Sequence, residues 1–289
     1  MFARLTPECS KTSIACSVAY AASVAELLGH NMQALGTCRQ YVKREGQSWT
    51  TLHEMQQQGY QNIVEEESHG LTAIYTSPKF AVGQRALLIR TPDGNNILWD
   101  CVTFLDTTTV ESIKDLGGIA AIVISHPHYY TSMVDWAEAF QCPIMIHVKD
   151  RQHVMRPSQH IEYIEEDHKQ VVKGLTALRL GGHFTGSLVL HCSLENIERP
   201  FLCTGDTIMG VPDQNPTGWV SFMYSYPNLI PLPAKQVARM RDQLAAWKFD
   251  QVYGAFKGQH VASGGWDAVK RSADRYVGIL EGSIDRDYF

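Results

Sequence analysis

His126 and His128 stand one residue apart at the end of an apolar run, Ala120-Ala121-Ile122-Val123-Ile124-Ser125. A β-branched run of that length reads as a buried strand, and in extended backbone residues two apart share a side. Two neutral imidazoles on one side of a strand end are a start for a metal site. They sit where α/β sheets build their sites, beyond the carboxyl ends of the strands. The competing reading is a pair of surface histidines in a loop. Two later stretches weigh toward the metal. Gly181-Gly182-His183-Phe184-Thr185-Gly186 sets a third imidazole among small residues, just before the run Ser187 to His191, and Phe201-Leu202-Cys203-Thr204-Gly205-Asp206-Thr207 sets a carboxylate after another apolar strand. Three nitrogens and one oxygen suit a tetrahedral or five-coordinate zinc with one position left for water.

The elements that must position these groups are legible in part. Residues 71–76 and 84–91 read as strands, joined through the turn Pro92-Asp93-Gly94-Asn95-Asn96 to a return strand at 97–100. Thr108-Thr109-Val110-Glu111 has the form of a capping box that opens a helix ending at Gly117-Gly118. A second helix follows the histidines, with Met133, Trp136, Ala137 and Phe140 toward the core, which makes Thr131 and Ser132 helix caps rather than nucleophiles. Pro143 to His147 is the next strand, and residues 249–253 are the last. Residues 234–247 and 266–280 are amphipathic helices. The connection 210–233, rich in Trp, Phe, Tyr, Pro and Gly, is long enough to be functional. Its Trp219, Phe222, Met223, Tyr224 and Tyr226 would form a substrate-pocket wall or lid beside Asp206, or pack on the N-terminal segment or in a homodimer interface. His147 reads as a pocket wall or core histidine. His153, His160 and His168 read as solvated, and His191 as a partly buried strand residue.

The 289 residues are 44% hydrophobic and 19% charged, enough for one large α/β domain. A formal charge of -5 without a Lys/Arg cluster argues against nucleic acid as partner. Charged positions are too frequent for a transmembrane span, so no membrane role is expected. Seven cysteines without framework spacing read as mostly reduced core residues of a cytoplasmic protein. Ser13 to Leu28 has the small, apolar character of a secretory signal, but Glu26 interrupts it and a helix ending at Gly29 fits as well. Residues 1–57 read as an N-terminal extension on a main domain, 58–289, with Thr50 or Thr51 capping a helix and Glu54 as reciprocal partner.

The order His126-Pro127-His128, Gly182-His183, Gly205-Asp206-Thr207 resembles the metallo-β-lactamase-fold metallohydrolases. That family has His-x-His-x-Asp-His, a later Gly-His, a Gly-Asp-Thr and a last His. The resemblance implies a four-layer αβ/βα sandwich of mixed α/β class, with His126, His128, His183 and Asp206 as metal ligands. Tyr130 stands where the family has its Asp, Thr131 where it has the second-site His, and Phe256 near the last His. It therefore implies one metal per chain. Asp100 matches an aspartate beside the metal-binding loop and would support it by hydrogen bonds. A narrower resemblance, to a subgroup of the same superfamily, is carried by Cys38-Arg39-Gln40-Tyr41-Val42, Gly46 to Leu52, Ser125 to Tyr130 and Trp219 to Asn228.

The activity so implied is hydrolysis of a small amide or ester, such as a lactam or lactone, by a zinc-activated water. Asp206 and Tyr130 would be the catalytic side chains, Tyr130 as a hydrogen-bond donor to a developing oxyanion. Tyr129, His147, Trp219, Phe222, Tyr224, Phe256 and His260 would line the substrate pocket, with His260 able to stand in for the missing ligand. Two alternatives stay open. A single Fe(II) on His126, His183 and Asp206 would use oxygen on a thiol. A non-catalytic homologue would keep the metal for structure.

Overall fold

The computed structural model describes residues 50–211 and 218–284. Most of the N-terminal extension, the Ser13–Leu28 segment and Cys9, Cys16 and Cys38 lie outside the described residues. What is described of the extension is helix α1 (Leu52–Gln57), with the expected reciprocal cap between Thr51 and Glu54 and with Met55 fully buried.

The first sheet is built from seven strands: β1 (Gln61–Ser68), β2 (Leu71–Ser77), β3 (Arg85–Ile89), β4 (Ile97–Trp99), β5 (Ala121–Val123), β6 (Ile144–His147) and β7 (Ile161–Ile164). Their spatial order is their chain order. Pairing is antiparallel from β1 to β4 and parallel from β4 to β7. The parallel crossovers carry helix α2 (Thr107–Asp115), between β4 and β5, and helix α3 (Met133–Phe140), between β5 and β6.

The second sheet contains β8 (His168–Val172), β9 (Leu175–Arg179), β10 (Leu188–Cys192) and β11 (Phe201–Gly205). Two short ribbons follow, β12 (Met209–Gly210) with β13 (Val220–Ser221), and β14 (Met223–Ser225) with β15 (Ile230–Pro231). After helix α4 (Ala234–Leu244) the chain returns to the second sheet as β16 (Gln251–Gly254), parallel to β11, and β17 (His260–Val261), and it closes with helix α5 (Gly265–Glu281).

Period-two alternation explains the layers. In the first sheet Ile74, Ala86, Leu88, Leu98 and Ile122 face an outer core with Ile113 of α2 and Trp136 of α3. Their neighbours Ala73, Leu87, Ile89, Ile97 and Val123 face the second sheet, where they meet Leu188, Leu190, Phe201 and Cys203. The opposite face of the second sheet, with Val189, Leu202 and Val252, packs on Val237 and Met240 of α4 and Val269 and Ala273 of α5. Three apolar cores separate four layers, helix–sheet–sheet–helix. Cys101, Cys142, Cys192 and Cys203 are free and buried. Among the described residues no helix is long and apolar enough to cross a membrane.

Three local expectations are corrected. Helix α2 is capped by Asp106, whose carboxylate accepts from Thr109 N at 2.8 Å, and not through a box from Thr108. Ser132 is the N-cap of α3, but its hydroxyl donates to Val102 O instead of capping. The aromatic stretch read as one connection is largely the two ribbons β12–β13 and β14–β15.

Candidate metal centre

Four strand ends meet at one edge of the sandwich. Asp100 follows β4, Ser125 and His126 follow β5, and Gly205 ends β11 beside the parallel β16. The carboxyl ends of parallel strands thus open on one crevice. Leu188 N donates to Ser125 O at 2.8 Å, tying the exit of β5 to the second sheet. Asp100 is held in the left-handed region at φ 59°, a conformation Asp tolerates better than most residues. It accepts from Ser125 N at 2.7 Å and from Ser125 Oγ at 2.9 Å.

His126, His128, His183 and Asp206 converge there, with one ligand atom from each within 4.8 Å of the others. His126 Nε2 is 3.1 Å from His128 Nδ1 and 3.4 Å from Asp206 Oδ2. His128 Nδ1 and His183 Nε2 lie 3.8 and 3.9 Å from the same oxygen. Four nitrogen and oxygen donors on a common tetrahedral zinc would stand about 3.3 Å apart, given bonds of about 2.0–2.1 Å. The observed spacings bracket that value.

The outer hydrogen bonds of two imidazoles fix which nitrogen faces inward. His183 Nδ1 lies 3.1 Å from Met223 O. A carbonyl only accepts, so Nδ1 carries the proton and Nε2 presents its lone pair to the cluster. His126 Nδ1 lies 2.8 Å from Ser125 Oγ, which spends its own proton on Asp100. Nδ1 of His126 is then the donor and Nε2 again faces inward as an acceptor. Burial pushes the Asp100 carboxyl well above its usual range, and the two bonds from Ser125 pull it back. A cation on the far side of His126 favours the carboxylate form of this relay. Burial raises the Asp206 carboxyl, but with the imidazoles charged, hydrogen bonds from His126 and His128 and attraction to His126 and His183 outweigh it and hold the group well below the carboxylate range. Acceptor atoms converging on one point fit a metal ion by the chemistry of the donor set. The open side is the one where Asp206 (16% exposed) and His128 (21%) reach solvent.

Phe184 forms the floor. Its ring stacks on His126 at 5.7 Å and lies edge-on to His128 and His183 at 5.1 and 5.2 Å. His153, read from sequence as solvated, packs on the same ring at 5.3 Å. The roof is the β14–β15 hairpin. Tyr226, at its tip, lies 5.6 Å ring to ring from His183, and its hydroxyl donates to Asp206 O at 2.8 Å. Sequence reasoning assigned no role here to Ser125, Phe184 or the Met223 carbonyl, whereas Tyr226 belongs to the aromatic stretch it read as a pocket wall or lid beside Asp206.

The tyrosines after His128 part company. His126 caps a single 3-10 turn, Pro127–Tyr129. At about three residues per turn, residue 129 returns to the side of residue 126. Tyr129 packs edge-on against His126 at 5.3 Å, and burial together with Asp100 and Asp206 pushes its phenol up. Tyr130 points into the outer core, where burial and Asp150 raise its phenol. Of the two, the tyrosine packed on a candidate ligand is thus Tyr129, while Tyr130 is a buried residue of the outer core. Phe222 is also core, under Tyr276 of α5. Trp219 lies between the guanidinium groups of Arg271 and Arg275 on α5, at 4.7 and 3.6 Å. Tyr224 is on the exposed side of its ribbon. Phe256 packs on the outer core of the first sheet. His260 stacks on Tyr253 across the β16–β17 pair, at 6.3 Å, and does not join the cluster. His191 donates to Lys248 O at 2.7 Å, a buried strand histidine as expected.

His147 is fully buried, and its Nδ1 accepts from Lys149 N at 3.1 Å, which caps a 3-10 turn. Burial, then Arg179, pushes its pKa down to about 4. The neutral form is thus favoured by folding. Its contribution is full above the unfolded value near 6.5 and is lost as pH falls toward 4, where the unfolded chain takes up a proton first. The loss is expected to reach up to about 3 kcal/mol. Urea midpoints of the metal-free protein from pH 4 to 8 should show this, and His147→Asn, whose Oδ1 replaces the Nδ1 acceptor, should flatten the profile. An equal slope in the variant would assign the acid loss elsewhere.

No family model matches the sequence. A Bacillus subtilis (strain 168) protein, the uncharacterized protein YmaE, is 47% identical over 247 residues, which is 85% of this chain and 88% of YmaE. Among solved structures, the metallo-β-lactamase FIM-1 from Pseudomonas aeruginosa, in its mono-zinc form, superposes with a TM-score of 0.52 at 15% identity over 75% of this chain and 96% of its own. The chemotaxis sensor ODP, described as a peroxy diiron species, gives 0.51 at 16% identity over 75% of this chain and 94% of its own. These likenesses identify the fold as that of the metallo-β-lactamases.

Proposed function

The chain belongs to the family of Bacillus subtilis YmaE, and from that premise we propose that it is a hydrolase holding one metal ion, zinc, and acting on a small amide or ester such as a lactam or lactone. The observation that carries the reading is the convergence of His126, His128, His183 and Asp206, with the outer bonds of His126 and His183 turning lone pairs inward. One ion is proposed because Tyr130, Thr131 and Phe256 occupy the positions of the family's second-site ligands and lie in or against the core.

When bound, zinc would supply a water of near-neutral pKa and polarise the scissile carbonyl. His126, His128 and His183 would hold the ion, and the Asp100–Ser125 relay would keep His126 oriented and basic. Asp206 is the carboxylate of the cluster, and its Oδ2, which faces the three imidazoles, would complete the coordination or orient the water. Phe184 and the β14–β15 hairpin exclude bulk water from two sides, which strengthens electrostatic contacts inside.

The test is elemental analysis of the untagged protein beside His126→Ala, followed by turnover assays on lactams, lactones and simple esters. One zinc per chain, lost in the variant, with turnover that falls by at least a hundredfold on zinc removal, is the expected result. Iron in place of zinc, with oxygen uptake on a thiol, would move the protein to oxygen-dependent chemistry. Zinc without turnover, and with only thermal stability lost in the variant, would make it a structural ion. No metal in either sample after incubation with excess zinc would overturn the reading.

A further inference from the structure

Two of the four candidate ligands are gripped from outside by one short segment. Met223 O, in β14, takes the Nδ1 proton of His183 at 3.1 Å, across 40 residues of sequence. Tyr226, three residues on, donates its hydroxyl to the carbonyl of Asp206 at 2.8 Å, across 20 residues. The same phenol ring lies 5.6 Å from the His183 ring. The segment thus sets the tautomer of one ligand and the backbone position of another.

The pairing within the segment is short, although Phe222 and Leu232 at its base are core residues and Ser225 is buried. Its strands are three and two residues long, pairing Met223 with Pro231 and Ser225 with Ile230, with an irregularity between. Proline gives no N–H to such a ladder, and a two-stranded ribbon is marginal in water. Leu229 lies in the left-handed region at φ 54° and is 78% exposed, and Ile230 is exposed beside it. Internal bonds are few: Leu229 N to Tyr226 O at 3.1 Å, and Asn228 Nδ2 to Ser225 Oγ at 3.3 Å. At the base, Tyr276 of α5 donates its hydroxyl between Phe222 O and Leu232 O, at 3.0 and 2.9 Å. The base is anchored to the body and the tip to the metal centre.

We propose that Tyr226 is a positioning residue for the metal ion, and that it couples the order of the β14–β15 hairpin to occupancy of the site. The inference rests on the reading of the cluster as a metal centre. Coupling is reciprocal: if the docked hairpin improves metal affinity, then bound metal stabilises the docked hairpin by the same free energy. Ligand partners of this kind typically contribute 10- to 100-fold in metal affinity. Tyr226→Phe keeps the ring against His183 and removes only the bond to Asp206 O, so it isolates the grip from the packing.

Zinc affinity is measured by competition with a chromophoric chelator for full-length wild type, Tyr226→Phe and Tyr226→Leu. Amide exchange over residues 222–232 is followed with and without zinc. A weakening of at least tenfold is expected in Tyr226→Phe at an unchanged metal-free melting temperature, with a larger loss in Tyr226→Leu. In wild type, zinc should slow exchange across the hairpin, and the variants should lose most of that slowing. Equal affinity in wild type and Tyr226→Phe, or hairpin exchange indifferent to zinc in wild type, would overturn the inference while leaving the metal centre intact. A weakening matched by an equal fall in metal-free stability would reduce Tyr226 to a structural residue. Absence of zinc binding by wild type would overturn both readings.

Discussion

Asp206→Asn is expected to lower zinc affinity about a thousandfold or more, beyond the 10- to 100-fold that an outer partner contributes. The substitution keeps the shape and removes the one anionic donor among three imidazoles. The metal-free protein should respond in the opposite sense at high pH. There His126 and His183 present lone pairs to the carboxylate with no cation between them, and a partly buried charge without a partner is unfavourable. Asp206→Asn should then be as stable as wild type or up to about 1 kcal/mol more stable, as is common when a functional charge is removed. Near pH 5 the order should reverse. The lowering of the Asp206 carboxyl comes from hydrogen bonds and attraction to charged histidines, so its stabilising effect is present above the unfolded carboxyl value only while the imidazoles are charged, and it is lost as pH falls below that value. Where the imidazoles are charged the carboxylate offsets them, so the wild type is the more stable form there. Urea midpoints at pH 5 and pH 8 without metal, with chelator competition at pH 7.5, check both halves. Unchanged zinc affinity in Asp206→Asn would remove this residue from the ligand set.

Gly205→Ala should be nearly as damaging without touching a ligand. Gly205 ends β11 in the left-handed region, at φ 51°. An added Cβ would stand 2.6 Å from Ser125 Oγ and 2.8 Å from Ser125 Cβ. Left-handed backbone costs an alanine about 1 kcal/mol or more, and overpacking a close contact typically costs about 1–3 kcal/mol. A loss of about 2–4 kcal/mol is expected, seen as a fall in melting temperature of roughly 5–15 °C for a chain of this size. The clash falls on the hydroxyl that joins Asp100 to His126, so zinc affinity should drop about 10- to 100-fold as well. The double variant Ser125→Gly/Gly205→Ala separates the effects. Removing the serine side chain should restore much of the stability and none of the affinity. Recovery of affinity in the double variant would show that the relay through Ser125 is not needed.

The candidate ligands were legible in the sequence because each follows or closes on an apolar strand with its own local signature: His126 and His128 after 120–125, His183 after two glycines, and Asp206 after 201–205. The mixed α/β class was legible from the apolar strand runs and the amphipathic helices, while the four-layer arrangement came only from the family resemblance. The edges of the sheets were not. In β8, His168-Lys169-Gln170 are exposed, and β1 has no fully buried residue, being half-buried except at the exposed Gln61 and Glu66, so neither carries the alternation that marks a strand. The bonds that dock the roof of the site were hidden for another reason. Met223 acts through its backbone carbonyl, which any residue has, and Tyr226 reaches a carbonyl 20 residues away. The choice of Tyr130 over Tyr129 followed alignment with a family position. The direction of each ring is set instead by a single 3-10 turn that spacing alone does not reveal.

The order of strands in the first sheet has a bearing on biosynthesis. Each of β1 to β7 lies beside its neighbours in the chain, so this half can assemble by successive short-range additions as it leaves the ribosome. It delivers His126 and His128 early, in a form that can chelate nothing firmly. The remaining two ligands arrive with β9 to β11, and the hairpin that orients them arrives later still. On the proposed reading of the cluster as a metal centre, the complete ligand set exists only once the second sheet is in place.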